Sequence, residues 1–436
     1  MSIQPSGELR VLCSRIAEHV QQTVTVQGWV HSVRRLGRLM FVIVRDRSGT
    51  AQCVLEGALA EAALSLESVV SVTGVAVAAA KAPGGSEVRA SAIVCLSAAA
   101  SPLPFELNKR TLGARLDTVL DHRVLALRHP HVHAVFRVKA ALAGAFRDYL
   151  AGCGFTQIFT PKIVSAGAEG GSSLFSVDYF GERAYLAQSP QFYKQMMVGA
   201  GYERVFEIGP VYRAEEHNTS RHLNEYISLD AEIGFIRSEE ELMELEEKLL
   251  AYMFARAAAE CEAELALLGV DVPVLGTIPR MTVDEAQRIL RDKYGKPSPH
   301  GDLDPEGERL ICQHVAERGK PALVFITRYP REIRPMYAMP AADNPSLTAS
   351  FDLLFNGLEI TTGGQRIHDL AELTASIVSR GLEPASFGGY LELFRYGMPP
   401  HGGFAIGLER LASRLLGLPN VREASAFPRD RTRLAP

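Results

Sequence analysis

Six cysteines are scattered through the 436 residues with no Cys-x-x-Cys pair. Neither a zinc ribbon nor a disulfide framework is indicated. No apolar run approaches the roughly 18–20 residues a membrane span needs. The N-terminus lacks a basic-then-apolar leader pattern, so the cytoplasm is the expected compartment. The formal net charge is only −4. That excludes a generally basic nucleic-acid binder, and any RNA contact must use local patches. One patch is dense: Arg34, Arg35, Arg38, Arg45 and Arg47 fall within fourteen positions. Low-complexity tails and internal repeats are absent. His129, His131 and His133 alternate, but no cysteine or acidic set joins them. A solvated segment is expected there rather than a metal site.

What is present is a chain long enough for two or three domains with a large core. Residues from about 20 to 100 read as five short strands. Thr23–Val33 alternates and holds the single tryptophan, Trp29. Met40–Arg45, Thr50–Leu55, Val69–Ala79 and Val88–Leu96 follow, with turns at Asp46–Gly49 and Pro83-Gly84-Gly85. Ala58–Leu66 reads as a short helix. Five strands with one helix between the third and fourth suit an OB-fold barrel; an SH3-like barrel is the alternative. The expected limits are 1–104 for this domain, 105–130 for a Pro- and Arg-containing hinge, and 131–436 for the body.

In the body, Val135–Ala151 has helical periodicity and Phe155–Pro161 reads as a strand ending at proline. Arg204–Glu215 and Asn224–Gly234 read as two strands joined by the loop Glu216–Leu223. Ser238-Glu239-Glu240-Glu241 opens a long helix with a capping-box signal, and its charges suggest a solvated face. Residues 271–345 look less regular and Pro-rich. Ser350–Ile360 reads as strand, turn and strand around Asn356-Gly357. Strands far outnumber interleaved helices, so the body is expected to be α+β with an antiparallel sheet flanked by helices.

The chemistry lies in six segments. They are Ser189-Pro190-Gln191-Phe192-Tyr193-Lys194, Tyr212-Arg213-Ala214-Glu215, Arg221-His222-Leu223-Asn224-Glu225-Tyr226, Asp352…Glu359, Thr361-Thr362-Gly363-Gly364-Gln365-Arg366, and the Gly-rich run His401–Leu411. Glycines let a nucleotide approach the backbone. An arginine can stack on a base and another can grip a phosphate. In order and spacing these segments resemble motifs 2 and 3 of the class II aminoacyl-tRNA synthetases, and the Val135–Pro161 stretch resembles motif 1. With the barrel in front, nearly the whole chain resembles the aspartyl-tRNA synthetases of the compact archaeal type.

That resemblance implies an AMP-forming ligase. A carboxylate attacks the α-phosphorus of ATP, so positive charge must neutralise two anions and the transition state. Arg213, Glu359 and Arg410 are the implied catalytic residues. The implied ATP site comprises Arg213, Ala214, Glu215, Arg221, His222, Leu223, Tyr226, Glu359, Gly407, Leu408, Glu409 and Arg410. In it Arg213 takes the α-phosphate, Arg221 and His222 the outer phosphates, and Arg410 and Tyr226 the two faces of adenine. Magnesium falls to Asp352, Glu359 and Thr362, oxygen ligands for a hard ion. L-Aspartate falls to Glu169, Ser189, Gln191, Lys194, Arg213, Asp230, Thr362 and Arg366. Aspartate and asparagine are nearly isosteric, so the pocket must read charge; Lys194 and Arg366 are the two cations placed to do so. Motif 1 implies a homodimer.

For tRNA the resemblance implies Phe41 stacking on an anticodon base, Gln52 bonding the central uracil, and Arg34 and Arg45 serving phosphates or base edges. His31 and Pro83 stand where strict relatives tend to have tryptophan and lysine. That pair implies a relaxed enzyme acting on tRNA(Asp) and tRNA(Asn). A strict aspartyl enzyme, an asparaginyl enzyme, a tRNA-independent synthetase and a silent RNA-binding paralogue are the alternatives. Lys194 weighs against the asparaginyl one.

Overall fold

The computed structural model describes residues 10–100, 102–165, 167, 174–216 and 218–435. The chain divides into two compact units between His122 and Arg123. In the first, β1 (Thr23–Leu36), β2 (Leu39–Asp46), β3 (Gly49–Glu56), β4 (Val69–Ala78) and β5 (Ser86–Ser97) close into a barrel of order β1-β2-β3-β5-β4. Alternation decides which side chains enter it. Val24, Val26, Val30, Met40, Val42, Val44, Cys53, Leu55, Val70, Val72 and Val88 point inward and form one core. The register shifts between Val30 and Ser32, which makes His31 a bulge. Gly28 is required by close approach: a Cβ there would lie 2.2 Å from the Arg45 carbonyl oxygen.

The helix expected at Ala58–Leu66 is only a 3-10 turn, Gly57–Glu61. The Arg35 guanidinium donates to the carbonyls of Ala60 and Ala62. Those are acceptors that a continuing helix would need for itself. The expected hinge is not featureless: α1 (Leu116–Asp121) ends the first unit and α2 (Arg123–Ala126) opens the second.

In the second unit α3 spans Pro130–Gly152. It starts earlier than its apolar periodicity suggests because Pro130 occupies the first turn and His129 Nδ1 caps it, accepting from the His131 N–H at 3.3 Å. The histidine trio is therefore the start of a helix rather than a solvated segment, and His129 is buried. Then come β6 (Thr156–Gln157), β7 (Ile163–Val164), β8 (Ser176–Tyr179), β9 (Glu182–Leu186), α4 (Gln191–Met197), β10 (Arg204–Tyr212) and β11 (Glu225–Gly234). The strand expected over Phe155–Pro161 keeps only the two residues of β6.

The long helix α5 (Glu240–Glu260) has Glu239 as N-cap and no side-chain cap. The expected capping box is replaced by Glu241 reaching back to the Arg237 N–H at 2.9 Å. Nor are all its charges solvated, since Glu246 is fully buried. After α6 (Glu262–Leu268), the supposedly irregular stretch holds β12 (Arg280–Thr282), α7 (Val283–Tyr294), α8 (Pro305–Ala316), β13 (Leu323–Thr327), β14 (Pro340–Ala341) and β15 (Asn344–Thr348). Short helices opened by Thr282 and Asp304 caps separate its prolines. The chain ends with β16 (Ser350–Phe355), β17 (Leu358–Arg366), α9 (Leu370–Ser379), α10 (Gly388–Arg395), β18 (His401–Gly407) and α11 (Leu408–Leu415). The Asn356-Gly357 turn has positive φ at both residues, as a two-residue hairpin needs.

One eight-stranded sheet organises this unit, in the order β12-β13-β16-β17-β18-β11-β10-β6. Only β6–β10 and β12–β13 pair in parallel. One face presents Phe206, Leu229, Ala231, Phe351, Leu353, Phe404 and Ile406, which share a core with residues of α3, α5 and α11. The alternate residues face the other way and are mostly polar. Among the described residues no helix is long and apolar enough to cross a membrane.

Candidate functional site

The polar face of β11, β16, β17 and β18, with Arg213 just past the end of β10, floors a cavity of about 340 Å³. Register explains its contents. Asp352 pairs with Thr362, Thr362 with Ala405, and Ala405 with Asp230, so these four positions form a row across the sheet. Arg366 lies along the same face, four residues beyond Thr362. Glu359 lies three before it, which in a regular strand would put it on the opposite face. The β16–β17 register shifts by one residue between Leu353 and Leu354. That bulge turns Glu359 back, and the Thr362 hydroxyl donates to its Oε1 at 3.2 Å.

At one end of the cavity Lys194, 1% exposed, sits between Asp230 (3.0 Å) and Glu232 (3.2 Å). The Arg366 guanidinium donates through Nε to Glu232 at 3.0 Å and through Nη2 to the Gly403 carbonyl at 3.0 Å. Glu232 thus serves both cations, which the sequence reading missed. Its position two residues after Asp230 on an alternating strand was the available signal. Burial alone would raise the Glu232 carboxyl, but Arg366 and then Lys194 outweigh it and hold it below the ordinary range. Gln191 and Ser189 line the same end. The Gln191 Nε2 is buried without a partner among the described residues, a donor available to a ligand. Glu169 lies outside the described residues.

At the other end Arg213, Glu215, Arg221, His222, Leu223, Tyr226, Glu359, Gly407, Glu409 and Arg410 all line the cavity. The Arg213 guanidinium lies 5.9 Å from the Tyr226 ring. Arg410 Nη1 donates to the Glu359 carbonyl at 3.0 Å and lies 3.3 Å from its carboxylate. Burial opposes ionisation of Glu359, yet Arg410, then Arg334 and Arg213, hold its carboxyl below the usual range. Asp352 is instead pushed up, by burial first, against the pull of Arg334.

Several expectations need correction. Ala214 and Leu408 do not line the cavity; Leu408 is core. Glu409 is a girder: it accepts from Lys139 of α3 at 2.6 Å and from the Ile227 N–H at 2.9 Å. Of the Gly-rich run, Gly403 makes room for Glu232 rather than for a ligand, since its Cβ would fall 2.1 Å from Glu232 Oε2. Asp352 does not line the cavity; its Oδ2 accepts from Arg334 Nη2 at 2.7 Å. Arg334, Ser228 and Tyr337 line the cavity and were not foreseen. Arg334 and Tyr337 come from a stretch where period gave no site signal, whereas Ser228 alternates with Tyr226 and Asp230 on β11.

On the barrel, Arg34, Phe41 and Gln52 share the outer face. Arg34 pairs with Phe41 in the ladder and its guanidinium lies 5.1 Å from the ring. Gln52, beside Ile43, donates to Glu87 at 2.8 Å. Arg45 departs from expectation: it is buried, donates twice to Glu67 (2.8 and 3.0 Å) and lies 2.9 Å from His31 Nδ1. Arginine can only donate, so that nitrogen of His31 accepts and Nε2 carries the proton. Pro83 opens an exposed turn before β5.

Residues 115–431 match the family model "tRNA synthetases class II (D, K and N)". Residues 24–96 match an OB-fold nucleic acid binding domain. The Aspartate–tRNA(Asp/Asn) ligase of Thermus thermophilus is 54% identical over 98% of this chain and 100% of its own. That of Deinococcus radiodurans is 52% identical over 98% and 99%. The asparaginyl-tRNA synthetase of Pyrococcus horikoshii, solved with asparaginyl-adenylate, superposes with a TM-score of 0.92 at 32% identity, covering 98% of this chain and 99% of that one. A family match over most of the chain, carried by a site whose motifs converge in space, shows that this protein belongs to the class II tRNA synthetases.

Proposed function

We propose that this protein is an AMP-forming aspartate–tRNA ligase that charges both tRNA(Asp) and tRNA(Asn) in the cytoplasm. The observation that carries the amino-acid assignment is the buried Lys194–Glu232–Arg366 arrangement. It holds two cations rigidly at the closed end of the cavity, where a side-chain carboxylate gains charge-assisted bonds that an amide forgoes, worth about 1.5–3 kcal/mol each. Asp230, with its carboxylate accepting from Ser228 at 2.5 Å, suits the α-ammonium, with Glu169 as a further candidate. The α-carboxylate oxygen then attacks the α-phosphorus, pyrophosphate leaves, and Arg213 neutralises both partners. In the second step a ribose hydroxyl of the tRNA terminus attacks the acyl carbon and AMP leaves.

Magnesium fits the donor set. Asp352 Oδ1 is buried without a hydrogen-bond partner among the described residues. Glu359 and Thr362 are adjacent, and no third acidic, histidine or cysteine ligand joins them among the described residues. A hard ion that keeps waters and takes phosphate oxygens needs only one or two carboxylates. Glu359 and Thr362, which line the cavity, would hold it, with Asp352 outside the lining and only its Oδ1 left by Arg334 to support them, and it would neutralise phosphate charge.

Phe41, Arg34 and Gln52 read the anticodon, and Arg45 acts from behind through His31. The hinge is 105–130, between an anticodon domain at 1–104 and a catalytic domain at 131–436. A homodimer forms through the motif 1 region, Val135–Pro161, where Phe159 is 82% exposed. The two-tRNA reading rests on His31 and Pro83 and on the names of the relatives. The test is aminoacylation of both transcripts with labelled aspartate and labelled asparagine. The expected outcome is aspartate on both tRNAs within about tenfold, each good base contact being worth roughly 1–3 kcal/mol, and no asparagine. Charging of tRNA(Asp) alone would leave a strict enzyme; activation of asparagine would overturn the pocket assignment.

A further inference from the structure

We propose that Glu308 is a positioning residue for Arg221, holding that guanidinium in place at the nucleotide end of the cavity. The proposal rests on the reading of this cavity as an ATP site. Glu308 lies in the first turn of α8, a segment outside every motif that marks the family. One of its oxygens, Oε2, accepts from Arg221 Nη2 at 2.5 Å and from the Glu359 backbone N–H at 3.0 Å. A single atom therefore ties the loop between β10 and β11 to the start of β17. Arg410 donates to the carbonyl of that same Glu359. Arg221 and Arg410 are thereby set relative to the backbone of one residue, Glu359.

Arg221 needs such a support. It is carried by the β10–β11 loop, and a flexible side chain on a loop is poorly preorganised without a partner. Glu308 itself does not line the cavity, whereas Arg221 does. The carboxylate is buried and faces protein donors, so it orients a ligand-binding group without competing for the ligand. Charge adds a second reason. Burial first, and then the nearby Arg221 and Arg410, destabilise the charge on Arg414, and Glu308 counteracts them. Removing the carboxylate would leave three like charges to spread apart. A helix merely propped against the sheet would need neither the charge nor the bond to Arg221.

The experiment is a double-mutant cycle on the full chain with Glu308→Gln, Glu308→Ala, Arg221→Ala and Glu308→Ala/Arg221→Ala. It reads the dissociation constant of MgATP by calorimetry, and the KM values for ATP and aspartate in pyrophosphate exchange. Glu308→Ala is expected to weaken MgATP about tenfold, within the usual coupling of residues in one network. Aspartate KM should stay within about twofold, and the double variant should bind no worse than Arg221→Ala. Glu308→Gln keeps the shape and one acceptor, and should weaken MgATP about threefold at an unchanged melting temperature. That variant carries the test if the alanine form does not fold. Wild-type MgATP affinity in Glu308→Gln and Glu308→Ala, or losses that multiply in the double variant, would overturn the proposal. An intact cycle for MgATP in a protein that shows no aspartate-dependent exchange would instead overturn the proposed activity and leave the role of Glu308 standing.

Discussion

The barrel and the catalytic sheet use the same alternation of side chains for opposite ends. In the barrel the inward face is almost wholly aliphatic, and the buried charged pair Arg45–Glu67 lies off it, because Arg45 alternates with Val44 and shares the face of Phe41. Its candidate contacts, Arg34, Phe41 and Gln52, lie on the outside. In the sheet both faces are covered. One meets helices through Phe206, Phe351 and Phe404, and the other carries Asp230, Glu232, Asp352 and Arg366, all buried, with Lys194 of α4 packed onto it. Surface contacts act one by one, whereas buried charges depend on each other, because an unpaired one is costly. The barrel should therefore tolerate single changes with separable effects, and the sheet should not.

The sharpest way to break this contrast is Arg213→Ala. Aspartate-dependent ATP–pyrophosphate exchange should fall by at least about 2.7–4 kcal/mol of transition-state stabilisation, with the circular dichroism spectrum unchanged. Near-normal exchange by a folded variant would remove Arg213 from the chemistry. Next comes Glu232→Gln, which takes away the charge shared by Lys194 and Arg366. Aspartate kcat/KM should drop by about 1.5–3 kcal/mol, the melting temperature should fall, and ATP KM should change little. Equal losses for ATP and aspartate would mean that the two ends of the cavity are not independent. On the barrel, Phe41→Ala should weaken tRNA charging by about 1–3 kcal/mol, the worth of one stacked base. Pyrophosphate exchange should be untouched, and a fall in it would contradict the separability claimed for this unit.

The smallest effect concerns pH. Glu246 of α5 is fully buried; its Oε1 accepts from the Thr361 hydroxyl at 2.6 Å and its Oε2 has no partner among the described residues. Burial pushes its carboxyl up from 4.5 to about 8, with Asp352 adding to the shift. The folded state therefore holds a proton that the unfolded state releases. Its contribution to stability is full below about 4.5 and is lost as pH rises through about 8. Glu246→Gln should flatten this limb. Calorimetric melting at pH 5 and pH 8 should show the variant gaining on wild type at the higher pH. Parallel pH dependences would show that Glu246 ionises in the folded state much as in the unfolded one.

Period and punctuation were enough for the barrel strands, the β10–β11 pair and the Asn356-Gly357 hairpin, because each follows from local steric rules and a single buried face. The resemblance carried by the motifs singled out Arg213, Lys194, Glu359, Arg366 and Arg410, and the fold brings all five to the lining of one cavity. Other features depended on distant contacts. The bulge at β16–β17 decides that Glu359 faces Thr362, and no local signal announces a one-residue slip. Arg35 bonding to the Ala60 and Ala62 carbonyls ends a helix that propensity favours. Glu67 captures Arg45, and Glu308, Arg334 and Glu246 reach functional or buried positions from segments that read as loop or surface. In each case the deciding energy is desolvation of a polar group. Its sign and size depend on what the fold brings against that group, which a one-dimensional pattern does not contain.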